Sequence, residues 1–247
     1  LEGYYYRPRV DRETLAKYSK GLICTSACPQ GEIGQALISG NYEEAKKSAE
    51  WFLEVFGKDY YLEVQRHEYA KFISTVENAQ IRSELSKMAD NEKAIFQGVK
   101  KLSRELGVPI VATNDAHYVK AEDATAQDSL VCIATGKNVS DVTRLRFIDS
   151  PTYYLKTPKE MAELFSDLPE ALENSVKIAE KCDVALALDK WFFPKYELTE
   201  GKTPDEELTV RAREGLTERI PKPTKEARGR LEYELSTIKK KGYSTYF

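Results

Sequence analysis

A disulfide framework, long apolar runs and an excess of charge of either sign are all missing from this sequence. Four cysteines occur in 247 residues (Cys24, Cys28, Cys132 and Cys182), which do not make a stapled secreted scaffold, so a reducing cytoplasm is the expected setting. No apolar run exceeds five residues, Val184 to Leu188 being one of that length, and a bilayer span needs about 20. No basic, apolar and small-residue succession opens the chain, so no secretory leader is read there. Lys and Arg number 37 against 40 Asp and Glu, a net charge of −3. That argues against a polybasic arm or membrane module governing the whole chain. Neither a glycine-rich phosphate loop nor a Ser-His-Asp arrangement is present, and no internal repeat is found. The composition, 41% hydrophobic and 31% charged, is that of a globular chain able to bury a sizeable core. Opening on Leu1 and closing on Phe247 within an aromatic run, it is expected to be part of something longer.

What is present alternates between strand and helix signals. Gly21 to Ser26 reads as a buried strand and residues 30–39 as a short helix. Ala45, Ala49, Phe52, Leu53 and Phe56 predict a helix over 42–56 with Gly57 as its cap. Tyr60 to Gln65 alternates as a strand does. Glu68 to about Asp90 reads as an inserted helical excursion. Ile95, Val99, Leu102 and Leu106 mark a helix stopped by Gly107, and Pro109 to Thr113 a further buried strand. This is the pattern of βα units around a parallel sheet or barrel. Later, Thr157-Pro-x-Glu160 and Thr203-Pro-x-Glu206 are capping boxes, and Asp167 with Glu170 suggests the same device. Trp191 to Tyr196 reads as a connector, and Ala227, Leu231, Leu235 and Ile238 share a helical face. A domain boundary is placed between 194 and 195.

Three predicted strands run into chemically capable residues: Ser26 to Cys28, Glu63 to His67, and Asn114 to His117. In parallel α/β folds such strand ends converge on one rim. In extended chain Asp115 and His117 would face the same way, roughly 7 Å apart. Imidazole, carboxylate and thiolate together suit Zn²⁺ or a similar borderline ion better than Mg²⁺. Read blandly, an isolated Asp-x-His is a surface turn or a satisfied hydrogen-bonding pair, and Cys28 a small buried residue. Cys24 and Cys28, about 13 Å apart along a strand, should not share an ion. Cys132 and Cys182 are expected in the core. His67 is expected to support ligands or face substrate. From Arg219 to Lys241, eight cations meet three carboxylates, a net +5; this suits a solvated helix face or nucleic-acid phosphates.

The segments SACPQGEI (26–33), GNYEEAKK (40–47), YLEVQRH (61–67), ELGVPIVATNDAHYV (105–119), FSDLPEALENSVKIAEKC (165–182) and RLEYELSTIKKKGYSTYF (230–247) resemble the bacterial replicative DNA polymerase III alpha-subunit family, in that family's order. The resemblance implies that residues 1–194 are the C-terminal part of its polymerase-and-histidinol-phosphatase (PHP) domain, an α/β fold built as a distorted seven-stranded βα barrel. It implies that 195–247 open the palm region. Cys28, Asp115 and His117 would be late ligands of a cluster holding up to three ions, Zn²⁺ or Mn²⁺, tied to 3′–5′ exonuclease proofreading or to structural support. Glu63, His67 and Asn114 would stand behind them. The family's opening His-x-His would precede Leu1, and the palm aspartates that bind Mg²⁺ would follow Phe247. Arg228, Arg230, Lys239, Lys240 and Lys241 would touch DNA. Partners would be DNA, deoxynucleotides, the sliding clamp, the clamp loader and a proofreading subunit, with no membrane. The chain alone is expected to be inactive. A non-catalytic scaffold and a free-standing phosphoesterase are the alternatives.

Overall fold

The computed structural model describes residues 4–190, 192–193, 196–198 and 201–247. Two units divide the chain, Leu1–Asp183 and Val184–Phe247. Trp191, Pro194 and Lys195, which carry the expected connector and the 194/195 boundary, lie outside the described residues.

The first unit opens with an antiparallel ribbon of β1 (Tyr4–Tyr5) and β2 (Arg7–Pro8). Helix α1 (Arg12–Lys17) follows, its N-terminus capped by the Asp11 carboxylate, which accepts from Thr14 N at 2.8 Å. Next come β3 (Cys24–Thr25), α2 (Glu32–Ile38), α3 (Tyr42–Phe56), β4 (Tyr60–Val64), α4 (Ala79–Leu106) and β5 (Ile110–Ala112). The strands form a parallel sheet in the order β3-β4-β5, with Cys24 opposite Tyr60 and Leu62 opposite Ile110. After it come α5 (Ala124–Thr135), α6 (Pro158–Leu164) and α7 (Pro169–Lys181). The fold is thus a mixed helix and strand architecture around a small parallel sheet.

Helix α3 has the bounds its apolar spacing predicts, with Ala45, Ala49 and Phe56 buried. Gly57 follows at φ +53°, a backbone region open to glycine. The alternation read in Tyr60 to Gln65 does not separate an inside from an outside: all five residues of β4 are buried. A central parallel strand is covered on both faces, so period two carries no exposure signal there. Strand β3 is shorter than the stretch predicted over 21–26, and Gly21 stands at φ +82° in the turn before it.

The excursion expected over 68–90 is in fact a 3₁₀ turn (Tyr69–Thr75) followed by the first half of α4. This 28-residue helix joins two apolar clusters. Val99 and Leu102 lie in the main core with Leu37, Leu62, Val64 and Phe165, while Ile81 and Leu85 pack with Tyr69, Phe147 and Tyr153. The polar stretch between them, Asp90 to Lys93, masks the continuity in sequence. The box expected at Asp167 and Glu170 does not form. Leu168 is the residue before α7, without a side-chain cap. Asp167 instead takes both arms of the Arg66 guanidinium at 2.7 and 3.0 Å, and that guanidinium lies over the rings of Phe96 and Phe165. Cys132 is buried as expected, whereas Cys182, the residue that ends α7, is exposed.

The second unit holds α8 (Pro204–Arg219) and α9 (Lys225–Lys241). Thr203 and Glu206 form the reciprocal cap the sequence predicts, as Thr157 and Glu160 do for α6. Arg213 on α8 reaches Glu232 on α9 through two hydrogen bonds of 2.8 and 2.9 Å.

Candidate functional site

Parallel pairing puts the C-terminal ends of β3, β4 and β5 on one edge of the sheet. Three residues beyond each strand stand Cys28, His67 and Asp115. Asp115 does not continue β5 as extended chain. Its φ of +49° turns the backbone, a conformation that aspartate tolerates better than most side chains. The turn brings the Asp115 and His117 side chains together, where an extended path would have spaced them along the strand. Oδ1 of Asp115 lies 3.2 Å from His117 Nε2, and Oδ2 lies 3.4 Å from His67 Nε2. The carboxylate is clasped by two imidazoles. The His67 hydrogen bond, then the adjacent His117 and His67 charges, hold the Asp115 carboxyl below its usual range, against the burial that would raise it.

His67 is buried, with a side chain only 5% exposed, whereas that of His117 is 42% exposed. The backbone N–H groups of His67 and Glu68 both donate to Glu92 Oε1, at 2.9 and 3.3 Å. That helical carboxylate secures the chain where Glu68 adopts φ +53°. While Nε2 of His67 faces Asp115, its Nδ1 lies within hydrogen-bond distance of the Thr152 hydroxyl, at 3.1 Å.

One short strap, Thr152 to Lys156, meets both imidazoles and the Asn114 side chain beside Asp115. Thr152 holds His67. The Tyr153 ring stacks on His67 at 4.1 Å and meets His117 edge-on at 5.5 Å. Its hydroxyl lies 2.5 Å from that of Tyr69, and burial drives the Tyr153 phenol up to about 12. The Tyr154 carbonyl accepts from Asn114 Nδ2 at 3.0 Å, and the Lys156 ammonium donates to Asn114 Oδ1 at 3.1 Å and to the Thr152 carbonyl. Burial lowers the Lys156 ammonium from its ordinary value. Phe147 packs its ring 4.7 Å from that of His117. The loop bearing Phe147 is anchored by Arg144, whose guanidinium grips Asp128 of α5 at 2.7 and 2.5 Å with both groups buried.

The other predicted residues go elsewhere. Glu63 is buried and accepts from Thr25, Thr113 and Gln65 at 2.6, 2.6 and 2.9 Å. It latches the three strand ends together and does not join the imidazoles. Cys28 lies in the turn between β3 and α2. Gly31 and Gly34 let α2 close onto that turn, since a Cβ at Gly31 would stand 2.8 Å from Ser26 O and one at Gly34 2.9 Å from Pro29 O. No hydrogen bond ties Cys28 to Asp115 or His117. Cys24 is half-buried, and burial pushes its thiol up to about 11. Among the described residues, no three His, Cys, Asp or Glu side chains are arranged to hold one ion. Of the basic residues, Arg230 pairs with Glu234 and Lys239 approaches Asp205 at 3.8 Å, while Arg228, Lys240 and Lys241 are exposed. Tyr153, Thr152, Phe147 and Glu92 were not legible as site residues. Each meets the cluster from 25 to 86 positions away in sequence, and no local motif marks it.

Residues 1–67 match the PHP domain family model. The whole chain aligns at 45% identity with DNA polymerase III subunit alpha of Borreliella burgdorferi and at 36% with that of Treponema pallidum, covering 20% of each. The Helicobacter pylori subunit aligns at 37% over 96% of the chain. The chain is homologous to a segment of DNA polymerase III subunit alpha. It spans about a fifth of the length of these curated relatives. The Asp115 cluster therefore lies on a segment that the alpha subunits share, although the PHP family match ends at His67, its first member. No helix among the described residues is long and apolar enough to cross a membrane.

Proposed function

We propose that the chain is a segment of a cytoplasmic replicative DNA polymerase alpha subunit, residues 1–194 belonging to a seven-stranded PHP barrel and 195–247 to the start of the palm. The observation that carries this is the alignment of the entire chain, at 45% identity, with such a subunit. In the complete protein the partners would be DNA, deoxynucleotides, a clamp, its loader and a proofreading subunit. Template-directed synthesis would reside in palm carboxylates outside this segment, with Mg²⁺.

The Asp115 cluster is the candidate phosphoesterase centre. Carboxylate oxygen and imidazole nitrogen suit Zn²⁺ or Mn²⁺, and Cys28 at the same sheet edge would add a thiolate. The described residues do not complete a ligand set, so this segment contributes only part of one. When bound, such an ion would activate a water and stabilise charge on a phosphodiester. The chain's own part is clearer. His67, fixed by Thr152 and Tyr153, holds Asp115 in orientation, and His117 stays partly open beside it.

The test is His117→Ala in the complete alpha subunit, with metal content, 3′–5′ exonuclease activity and primer extension measured together. Loss of metal and exonuclease with synthesis retained is expected. Unchanged metal stoichiometry would remove His117 from the centre. One observation favours a second reading, a non-catalytic scaffold: both Asp115 oxygens are already taken up by imidazoles. A metal-free complete subunit that still supports synthesis would select it.

A further inference from the structure

We propose that Lys156 is an anion-binding residue of the Asp115 cluster, its ammonium placed to receive a phosphate oxyanion from a nucleic-acid backbone. The inference rests on the reading of this cluster as a phosphoester site, and it requires no particular ion there. Lys156 is half-buried and has no carboxylate within ion-pair distance among the described residues. Its two acceptors, Asn114 Oδ1 and the Thr152 carbonyl, are both neutral.

Other shielded cations of the same unit are matched by carboxylates: Arg144 by Asp128, Arg66 by Asp167 and Arg146 by Asp149. Neutral acceptors orient an ammonium but supply no counter-ion: the Glu160, Asp115 and Glu68 carboxylates act on it only from beyond ion-pair distance, and the Tyr154 ring centroid stands 4.8 Å from Nζ. Removing such a charge from water is costly without a counter-ion, and a phosphate would supply one through charge-assisted hydrogen bonds. Two of the three ammonium protons are used, which leaves one donor for a ligand. The position fits the purpose. Asn114 is the chain neighbour of Asp115, and Thr152 also carries the hydroxyl against His67. Lys156 is thus fixed from both sides of the cluster. A simple tether between Asn114 and the strap would not need a charge, and that difference is testable.

Binding of inorganic phosphate and of a short single-stranded oligonucleotide is measured by titration calorimetry on the 247-residue chain, unmutated and as Lys156→Gln and Lys156→Arg. Lys156→Gln should weaken phosphate binding about tenfold, the loss of one charge-assisted hydrogen bond, while Lys156→Arg stays within about threefold. The oligonucleotide should compete with phosphate and lose affinity in the same variant. Phosphate binding without that competition would overturn the nucleic-acid assignment. Equal affinity of Lys156→Gln and the unmutated chain, or no phosphate binding by the latter, would overturn the site. Should Lys156→Gln fail to fold, protection of Lys156 from acetylation by phosphate in the unmutated chain decides the matter, and absence of protection counts against the proposal. If phosphate binds through Lys156 while the complete subunit hydrolyses no phosphodiester, the phosphoesterase reading fails and this inference stands.

Discussion

The Arg144–Asp128 pair anchors the loop whose Phe147 packs on His117. Both groups are buried and doubly hydrogen-bonded, so Asp128→Asn leaves a guanidinium without its counter-charge. Breaking such a pair costs about 3–5 kcal/mol, and urea unfolding followed by circular dichroism should register a loss of that size. Asp128→Leu with Arg144→Met should recover much of it, because no stranded charge then remains. Glu160 offers a pH test. Its carboxylate accepts from the Tyr154 hydroxyl and from the Thr157 backbone and side chain, which pull its pKa from 4.5 to about 2. A carboxyl depressed on folding stabilises above its unfolded value. That contribution is lost as pH falls from about 4.5 towards about 2. Acid unfolding of Glu160→Gln should therefore be flatter than that of the unmutated chain across this window. Parallel profiles would show that the cap is not formed in solution.

At the scale of elements, α4 and β5 make the clearest claims. Helix α4 crosses α2 at Gly98, where an added Cβ would fall within 2.7 Å of Leu37 Cδ1 and closer still to Cδ2. Gly→Ala in an exposed helix gains about 1 kcal/mol, but crowding a packed core costs about 1–3. Gly98→Ala should thus lower the melting temperature, and Leu37→Ala in the same chain should remove the clash at the cost of a cavity. A melting temperature raised by Gly98→Ala would mean that Leu37 yields freely. On β5, the Ile110 carbonyl receives Asn174 Nδ2 from α7 at 2.8 Å, within the buried interior. Asn174→Ala strands that carbonyl at a cost of about 1–3 kcal/mol. Hydrogen exchange in β5 should accelerate accordingly, and unaltered protection would show that another donor takes its place.

For the molecule as a whole, the strand ends bring the candidate ligands to one edge without completing a cage. Equilibrium dialysis should find Zn²⁺ and Mn²⁺ bound weakly by this chain and retained by a complete alpha subunit through purification. Comparable affinity in the two would show that the segment holds the full ligand set. Much of the architecture was legible because it is local. Helix α3, the reciprocal caps at Thr157 and Thr203, the Gly107 terminus and the buried apolar runs of β4 and β5 each depend on residues within a turn or two. Short range also explains why Asp115 and His117 stood out. Their meeting, however, depends on the left-handed turn at Asp115, which two residues of spacing do not specify. The sequence by itself determined the strongly patterned elements, α3, β4, β5 and the capped α6 and α8, their order, and the family resemblance. Only the tertiary structure decided that His67 faces Asp115, that Glu63 latches strands, and that Lys156 reaches the cluster without a carboxylate partner. Each of these is a pairing between chain segments far apart in sequence, selected by burial and hydrogen-bond satisfaction over the whole fold.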